Sequence, residues 1–313
     1  MIKEEFYFDS RDGENRIHAV RYTPDDGNVR GIVQIVHGMA EYVERYENLA
    51  EFLTKRGILV TGEDHLGHGK SVSEGGSFGY FCEQDPATVV VRDVHRLKKI
   101  TEEQHPQVPY IILGHSMGSF IARNYLCRYG SGIDGAVIVG TGMQSSGLIF
   151  ASKAMAGIQK LFCGSKHVSH FIDKAAFGGY NKRIDSPRTS SDWLSRNTDN
   201  VDRYIADELC GFTFTVNGFQ TLFELIRRLQ KQENLEKVPQ NLPILMVSGA
   251  EDPVGDYGKG VHKACNSLKR AGVKNITVKL YENDRHELLN EDDAETAMED
   301  IWQWICKEVP GIA

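Results

Sequence analysis

No stretch of this 313-residue chain approaches the run of about 20 apolar residues that a membrane-spanning helix requires. The opening residues, Met1–Ser10, lack the apolar core of a signal peptide, so a cytoplasmic location is expected. Positive charge is in short supply: 36 Lys and Arg face 43 Asp and Glu, for a net charge of −7. That balance argues against a nucleic-acid partner and against a polybasic membrane anchor. The six cysteines (Cys82, Cys127, Cys163, Cys210, Cys265, Cys306) are scattered, and no two have the C-x-x-C spacing of a zinc site or redox pair. They read as free thiols in a reducing compartment. There is no internal repeat and no low-complexity segment.

What is present is an alternation. Glu5–Asp9 and Arg16–Tyr22 flank a turn containing Asp12-Gly13 and read as an antiparallel hairpin. Six short apolar runs follow: Ile32–Val36, Ile58–Thr61, Tyr110–Leu113, Ala136–Val139, Ile244–Val247 and Ile276–Leu280. Most are continuous rather than alternating, as in parallel strands buried on both faces. Helical spacing fills the intervals. Val43, Tyr46, Leu49 and Leu53 share one face, and so do Val90, Val94 and Leu97 after the cap-like Asp85-Pro86. Met298, Ile301 and Ile305 share another. The expected fold class is α/β, with a mostly parallel central sheet and helices on both faces. From 142 to 239 the rhythm breaks. That stretch reads as an insertion into a core made of residues 1–141 and 240–313.

Gly114-His115-Ser116-Met117-Gly118 matches G-x-S-x-G, a weak pattern alone. Here it directly follows the apolar run Tyr110–Leu113 and precedes the helical stretch with Phe120, Ile121, Asn124 and Tyr125. That strand–turn–helix context is what a nucleophile elbow requires. A serine nucleophile needs a base, and the base needs an orienting partner. In α/β-hydrolases the chain order is Ser, acid, His. His286 lies on the loop after the last apolar run, where catalytic groups collect, whereas His167 and His170 fall in the insertion and His262 in a helical stretch. For the acid, Ser248-Gly249-Ala250-Glu251-Asp252-Pro253 offers two carboxylates. Asp252 is favoured because the following proline holds it in an extended loop, with Glu251 the alternative. The loop His37-Gly38-Met39 points to the backbone N–H groups of Met39 and Met117 as oxyanion donors.

Two other motifs fail. Gly67–Ser71 ends like a phosphate-binding loop, but its first glycine is replaced by Asp64. His286-Glu287-Leu288-Leu289-Asn290 begins like H-E-x-x-H, but its second histidine is Asn290. Neither a catalytic metal nor any other cofactor is expected.

Together these segments resemble the α/β-hydrolase serine hydrolases grouped with monoacylglycerol lipases, lysophospholipases and the serine aminopeptidase branch. The resemblance rests on His37-Gly38-Met39, on Asp64–Ser71 (a D-x-x-G-H-G-x-S loop), on Gly114–Gly118, and on Arg285-His286-Glu287 with Asn290-Glu291. It spans about Glu5 to Ile305. It implies the α/β-hydrolase fold, with the insertion 142–239 as a mainly helical cap over an apolar acyl pocket. Leu148, Phe150, Phe162, Phe212, Phe214 and Phe219 could line that pocket or form the cap's own core. The expected activity is acyl-enzyme hydrolysis of a small ester or lipid, most closely a monoacylglycerol or lysophospholipid. The expected membrane partnership is transient contact without stable insertion. A proline-type aminopeptidase, a thioesterase and a small-ester carboxylesterase remain open on the same triad, as does an inactive scaffold that only binds a ligand. The aminopeptidase would need acidic groups, which the insertion offers in Asp173, Asp185, Asp202, Asp207 and Glu208.

Overall fold

The computed structural model describes residues 1–312. Its strands are β1 (Ile2–Asp9), β2 (Arg16–Thr23), β3 (Gly31–Val36), β4 (Ile58–Glu63), β5 (Tyr110–His115), β6 (Gly135–Val139), β7 (Ile244–Gly249) and β8 (Ile276–Tyr281). Its helices are α1 (Glu47–Thr54), α2 (Pro86–Gln104), α3 (Met117–Tyr129), α4 (Ser146–Cys163), α5 (His170–Phe177), α6 (Thr198–Ala206), α7 (Val216–Leu229), α8 (Gln232–Leu235), α9 (Lys259–Arg270) and α10 (Ala294–Glu308). One sheet runs β1-β2-β4-β3-β5-β6-β7-β8. β1 and β2 pair antiparallel, as does β2 with β4, and the remaining pairs are parallel.

The continuous apolar runs are explained by two-sided burial. Along β5, Ile112 joins the core beneath α2, α3 and α9, while Ile111 and Leu113 join the core beneath α1 and α10. Each fully buried aliphatic side chain contributes about 1.5–3 kcal/mol over exposure, so neither sheet face can be left to water. β8 differs. Its residues alternate between half-buried and exposed before the buried Tyr281, as suits a strand on the sheet's outer edge.

Between β6 and β7 the described residues form α4 to α8 and short turns, with no strand of the sheet. Four of these helices start on a side-chain cap. Ser145, Ser169, Asn197 and Thr215 accept from the backbone N–H of Leu148, Ile172, Asn200 and Gly218. The Thr215 cap opens α7, which buries Phe219, Leu222, Phe223, Ile226 and Leu229 on one stripe. Asp85 departs from its expected role. It lies at φ 42° without a side-chain cap, and its carboxylate instead accepts from Arg228 Nη2 at 2.7 Å. Pro86 still opens α2.

Candidate active site

Every residue from Tyr110 to Leu126 is buried except Ser116. It stands on the turn from β5 to α3 with φ 54° and ψ −121°, a left-handed conformation that costs a non-glycine residue about 1–3 kcal/mol. Packing enforces the turn. A Cβ on Gly118 would sit 1.9 Å from the Val36 carbonyl oxygen, and one on Gly114 would sit 2.4 Å from that of Gly118. The glycines of G-x-S-x-G are thus fixed by close approach of β3 and α3. The Ser116 N–H donates to Val139 O at 3.0 Å, tying the turn to the end of β6.

His286, on the loop after β8, lies beside this turn. Its ring packs against Gly140, the residue that follows β6. Its Nδ1 is 3.0 Å from Asp252 Oδ2, and both side chains are buried. Asp252 is itself held, accepting from Ser248 Oγ at 3.2 Å and from Val254 N–H at 2.8 Å. Glu251, the alternative acid, points elsewhere: its side chain is 49% exposed and lies 3.8 Å from Arg196 Nη1. Among the described residues no hydrogen bond joins Ser116 Oγ to His286. Such links are often long in an empty site and tighten only around substrate.

The loop that carries Met39 lies against the turn that carries Met117. A Cβ on Gly38 would lie 3.1 Å from Ser116 Cβ, so the loop after β3 rests on the serine. Among the described residues neither the Met39 nor the Met117 N–H has an acceptor. Met117 is the first residue of α3, where no intrahelical partner exists.

Of the side chains expected in the acyl pocket, Phe214 is fully buried and Phe212 half-buried. Their rings stack at 6.1 Å, and each lies 5.3 Å from the His68 ring. Leu148 and Phe150 are 57% and 76% exposed, and Phe162 is 85% exposed, so these three stand outside any closed pocket. The reason is helical geometry. α4 turns Ile149 and Ala156 inward, and the residues on either side of Ile149 are rotated about 100° away from that stripe. Phe150 instead lines a groove of about 490 Å³ between α4 and α7 with Ser146, Ile149, Lys153, Ala154, Arg227 and Gln230, and Ser116 is not part of it.

Sequence reasoning missed a buried charged cluster behind the site. Glu41 Oε1 accepts from Gly38 N–H at 2.5 Å and Tyr46 O–H at 2.8 Å, and lies 3.2 Å from His115 Nδ1. Arg45 Nη1 donates to Glu41 at 3.0 Å, and both Arg45 Nη groups grip Glu287 at 2.7 and 2.8 Å. Burial alone would raise the Glu41 carboxyl, but His115 and Arg45 outweigh it and hold it well below the usual carboxylate range. Burial alone would lower the His115 imidazole, and Glu41 reverses the sign and raises it. His115 Nε2 reaches the His286 carbonyl at 3.1 Å. The Trp193 ring lies 5.1 Å from that of His286. No spacing links Glu41 to Glu287 in sequence; only the neighbours of the recognised motifs, His115 and Glu287, hinted at a role.

His37, set aside as a base in the sequence, is buried. It ties backbone together, with Nδ1 2.8 Å from Gly38 O and Nε2 accepting from His65 N–H at 3.0 Å. The Asp64–Ser71 loop is similarly structural. Asp64 accepts from the N–H groups of Val43 and Lys70, both at 2.9 Å.

With this geometry in hand, the family profile described as Serine aminopeptidase, S33 matches residues 27–293. The chain belongs to that family. Among S33-like relatives, a monoglyceride lipase of Rattus norvegicus is 27% identical over 293 residues, covering 92% of this chain and 86% of the relative. A monoacylglycerol lipase of Mycolicibacterium smegmatis is 28% identical over 287 residues, covering 91% and 90%. Among solved structures, a thermostable carboxyl esterase from Bacillus coagulans, in complex with glycerol, is 31% identical and superposes with a TM-score of 0.91 over the full length of both chains. The fold of this S33 member is the α/β-hydrolase fold.

Proposed function

We propose that the protein cleaves carboxylic esters through an acyl-enzyme, with Ser116 as nucleophile, His286 as base, and Asp252 as the acid that orients it. The observation that carries this is the buried His286–Asp252 bond at 3.0 Å, set beside a serine that alone stays accessible on a strained turn. The protein is a serine hydrolase of the lipase and esterase type. In the first step Ser116 Oγ bonds to the ester carbonyl carbon while His286 takes its proton. The carbonyl oxygen becomes an oxyanion held by the Met39 and Met117 N–H groups, each such donor worth about 10²–10³ in kcat. His286 then passes its proton to the leaving alcohol as the carbon–oxygen bond breaks. Water, deprotonated by His286, attacks the acyl group and frees the acid and Ser116.

For substrate we propose a monoacylglycerol or lysophospholipid. The names of the lipase relatives support this reading, as does the glycerol held by the carboxyl esterase. Residues 142–239 serve as the cap on a core of 1–141 and 240–313, with Phe212 and Phe214 on its inner side. Leu148, Phe150, Ile158, Leu161 and Phe162, all exposed and all on α4, support transient contact with a lipid surface. No helix of the described residues is long and apolar enough to cross a membrane. A cytoplasmic location, supported by six free cysteines, belongs to the same proposal. Of the acids an aminopeptidase would use, Asp202 and Asp207 are already bonded to Arg188 and Tyr42.

Labelling with a fluorophosphonate, followed by peptide mass mapping, tests the nucleophile. The adduct is expected on Ser116 alone and absent from Ser116→Ala. An adduct elsewhere, or none, would contradict the assignment.

A further inference from the structure

The peptide that carries the Met39 N–H is gripped on both sides. On one side Gly38 N–H donates to Glu41 Oε1 at 2.5 Å. On the other, the Ala40 carbonyl accepts from Gly211 N–H at 3.0 Å, and Ala40 is held at φ 53°. The first grip comes from the core, but the second comes from the chain between β6 and β7. Two more links join the same two segments, and a third runs from the second of them to the base loop. Tyr42 O–H donates to Asp207 Oδ2 at 2.8 Å. Asn200 Nδ2 donates to Glu287 Oε2 at 2.7 Å, the oxygen that also receives Arg45. The Arg45 guanidinium lies 4.9 Å over the Tyr204 ring.

We infer that the segment 200–211 is a clamp on the oxyanion loop, and that Asn200 and Asp207 are positioning residues for catalysis although neither belongs to the triad. This rests on the proposed role of the Met39 N–H. The physical case is one of strain and reach. A left-handed alanine does not hold itself in place, so its carbonyl bond to Gly211 and the Tyr42–Asp207 bond two residues on set where the Met39 peptide points. Such donors must sit 2.7–3.1 Å from the developing oxyanion, and a shift of about 1 Å costs about a hundredfold in rate. Glu287 adds a second route. It follows the base His286 directly, so Arg45 ties the oxyanion loop to the base loop while Asn200 completes the carboxylate. The cap would then be fixed at α6 and the 207–211 turn.

The test compares an ester with its thionoester, because a thiocarbonyl sulfur accepts hydrogen bonds poorly and gains little from oxyanion donors. Asp207→Ala and Tyr42→Phe should each lower kcat on the oxygen ester about tenfold with KM within about twofold. The thionoester rate should barely move, so the oxygen-to-sulfur ratio shrinks. Combining the two should cost no more than Asp207→Ala alone, because both remove the Tyr42–Asp207 bond and Asp207→Ala also frees the Leu209 N–H, held at 2.9 Å. Asp207→Asn, which keeps an acceptor, should restore kcat. Asn200→Asp, which sets a carboxylate against Glu287, should be worse than Asn200→Ala. Unchanged kinetics, or equal losses on both esters with a lowered Tm, would overturn the clamp. If the wild-type protein turned over neither ester, the ester-hydrolase reading itself would fall, which is a separate result.

Discussion

Asp252 holds His286 through one bond of 3.0 Å from Oδ2 to Nδ1, while its neighbour Glu251 faces Arg196 across 3.8 Å in partial solvent. Two adjacent carboxylates therefore have different work. Asp252→Asn should lower kcat by about 10³–10⁴ because the imidazole would lose its orienting anion and its tautomer. Glu251→Gln should stay within about twofold, as expected for an exposed pair worth about 0–1 kcal/mol. Steady-state kinetics on one soluble ester read both variants. A larger loss in Glu251→Gln than in Asp252→Asn would point to Glu251 as the acid.

Ser116 pays for its place with a left-handed backbone, φ 54° and ψ −121°. Ser116→Gly should relieve about 1 kcal/mol of that strain and raise Tm by about 2–4 °C. Ser116→Ala, which keeps a Cβ, should leave Tm where it is. Both should lose turnover. Calorimetry of the three proteins separates strain from chemistry, and a Tm gain in the alanine variant would contradict the strain account.

Phe214 and Phe150 part company in the structure, the one fully buried and the other 76% exposed. Phe214→Ala should cost about 3–5 kcal/mol of stability through its cavity. Phe150→Ser should change stability by less than about 0.5 kcal/mol. A variant with Phe150, Leu161 and Phe162 all changed to Ser should hydrolyse a short soluble ester normally and lose cosedimentation with neutral phospholipid vesicles. Undiminished vesicle binding would remove α4 as the contact face.

Asp93 is buried beside the β1–β2 turn, accepting from Ser10 Oγ at 2.8 Å and Arg11 N–H at 2.6 Å. Burial pushes its carboxyl up to about 7, from an ordinary value near 3.8. The folded protein therefore binds a proton that the unfolded chain has already released between pH about 4 and 7, and stability falls as pH rises through that window. Asp93→Asn should flatten this slope. Urea unfolding at pH 4.5, 6 and 7.5 reads it, and an unchanged slope would show that Asp93 stays charged.

The sheet was legible because its strands are short apolar runs buried on both faces; even the edge strand β8 kept enough apolar residues to be seen. Ser116, His286 and Asp252 could be nominated because each follows a strand inside a short local pattern, and the structure places His286 Nδ1 3.0 Å from Asp252. Leu148 and Phe150 were misleading because apolar residues on a helix show the period but not which stripe faces inward. The Glu41–Arg45–Glu287 cluster was illegible for another reason. Its members come from two loops 242 positions apart (Arg45 to Glu287), and only the closing of the sheet makes them neighbours.

The most direct test of the central claim is the rate of fatty-acid release from a monoacylglycerol by the purified protein, with a short-chain ester alongside and Ser116→Ala as the blank. The expected result is a higher kcat/KM on the monoacylglycerol, with no release by the blank. Release by the blank would contradict Ser116 as nucleophile, and turnover of the short ester alone would contradict the lipid substrate.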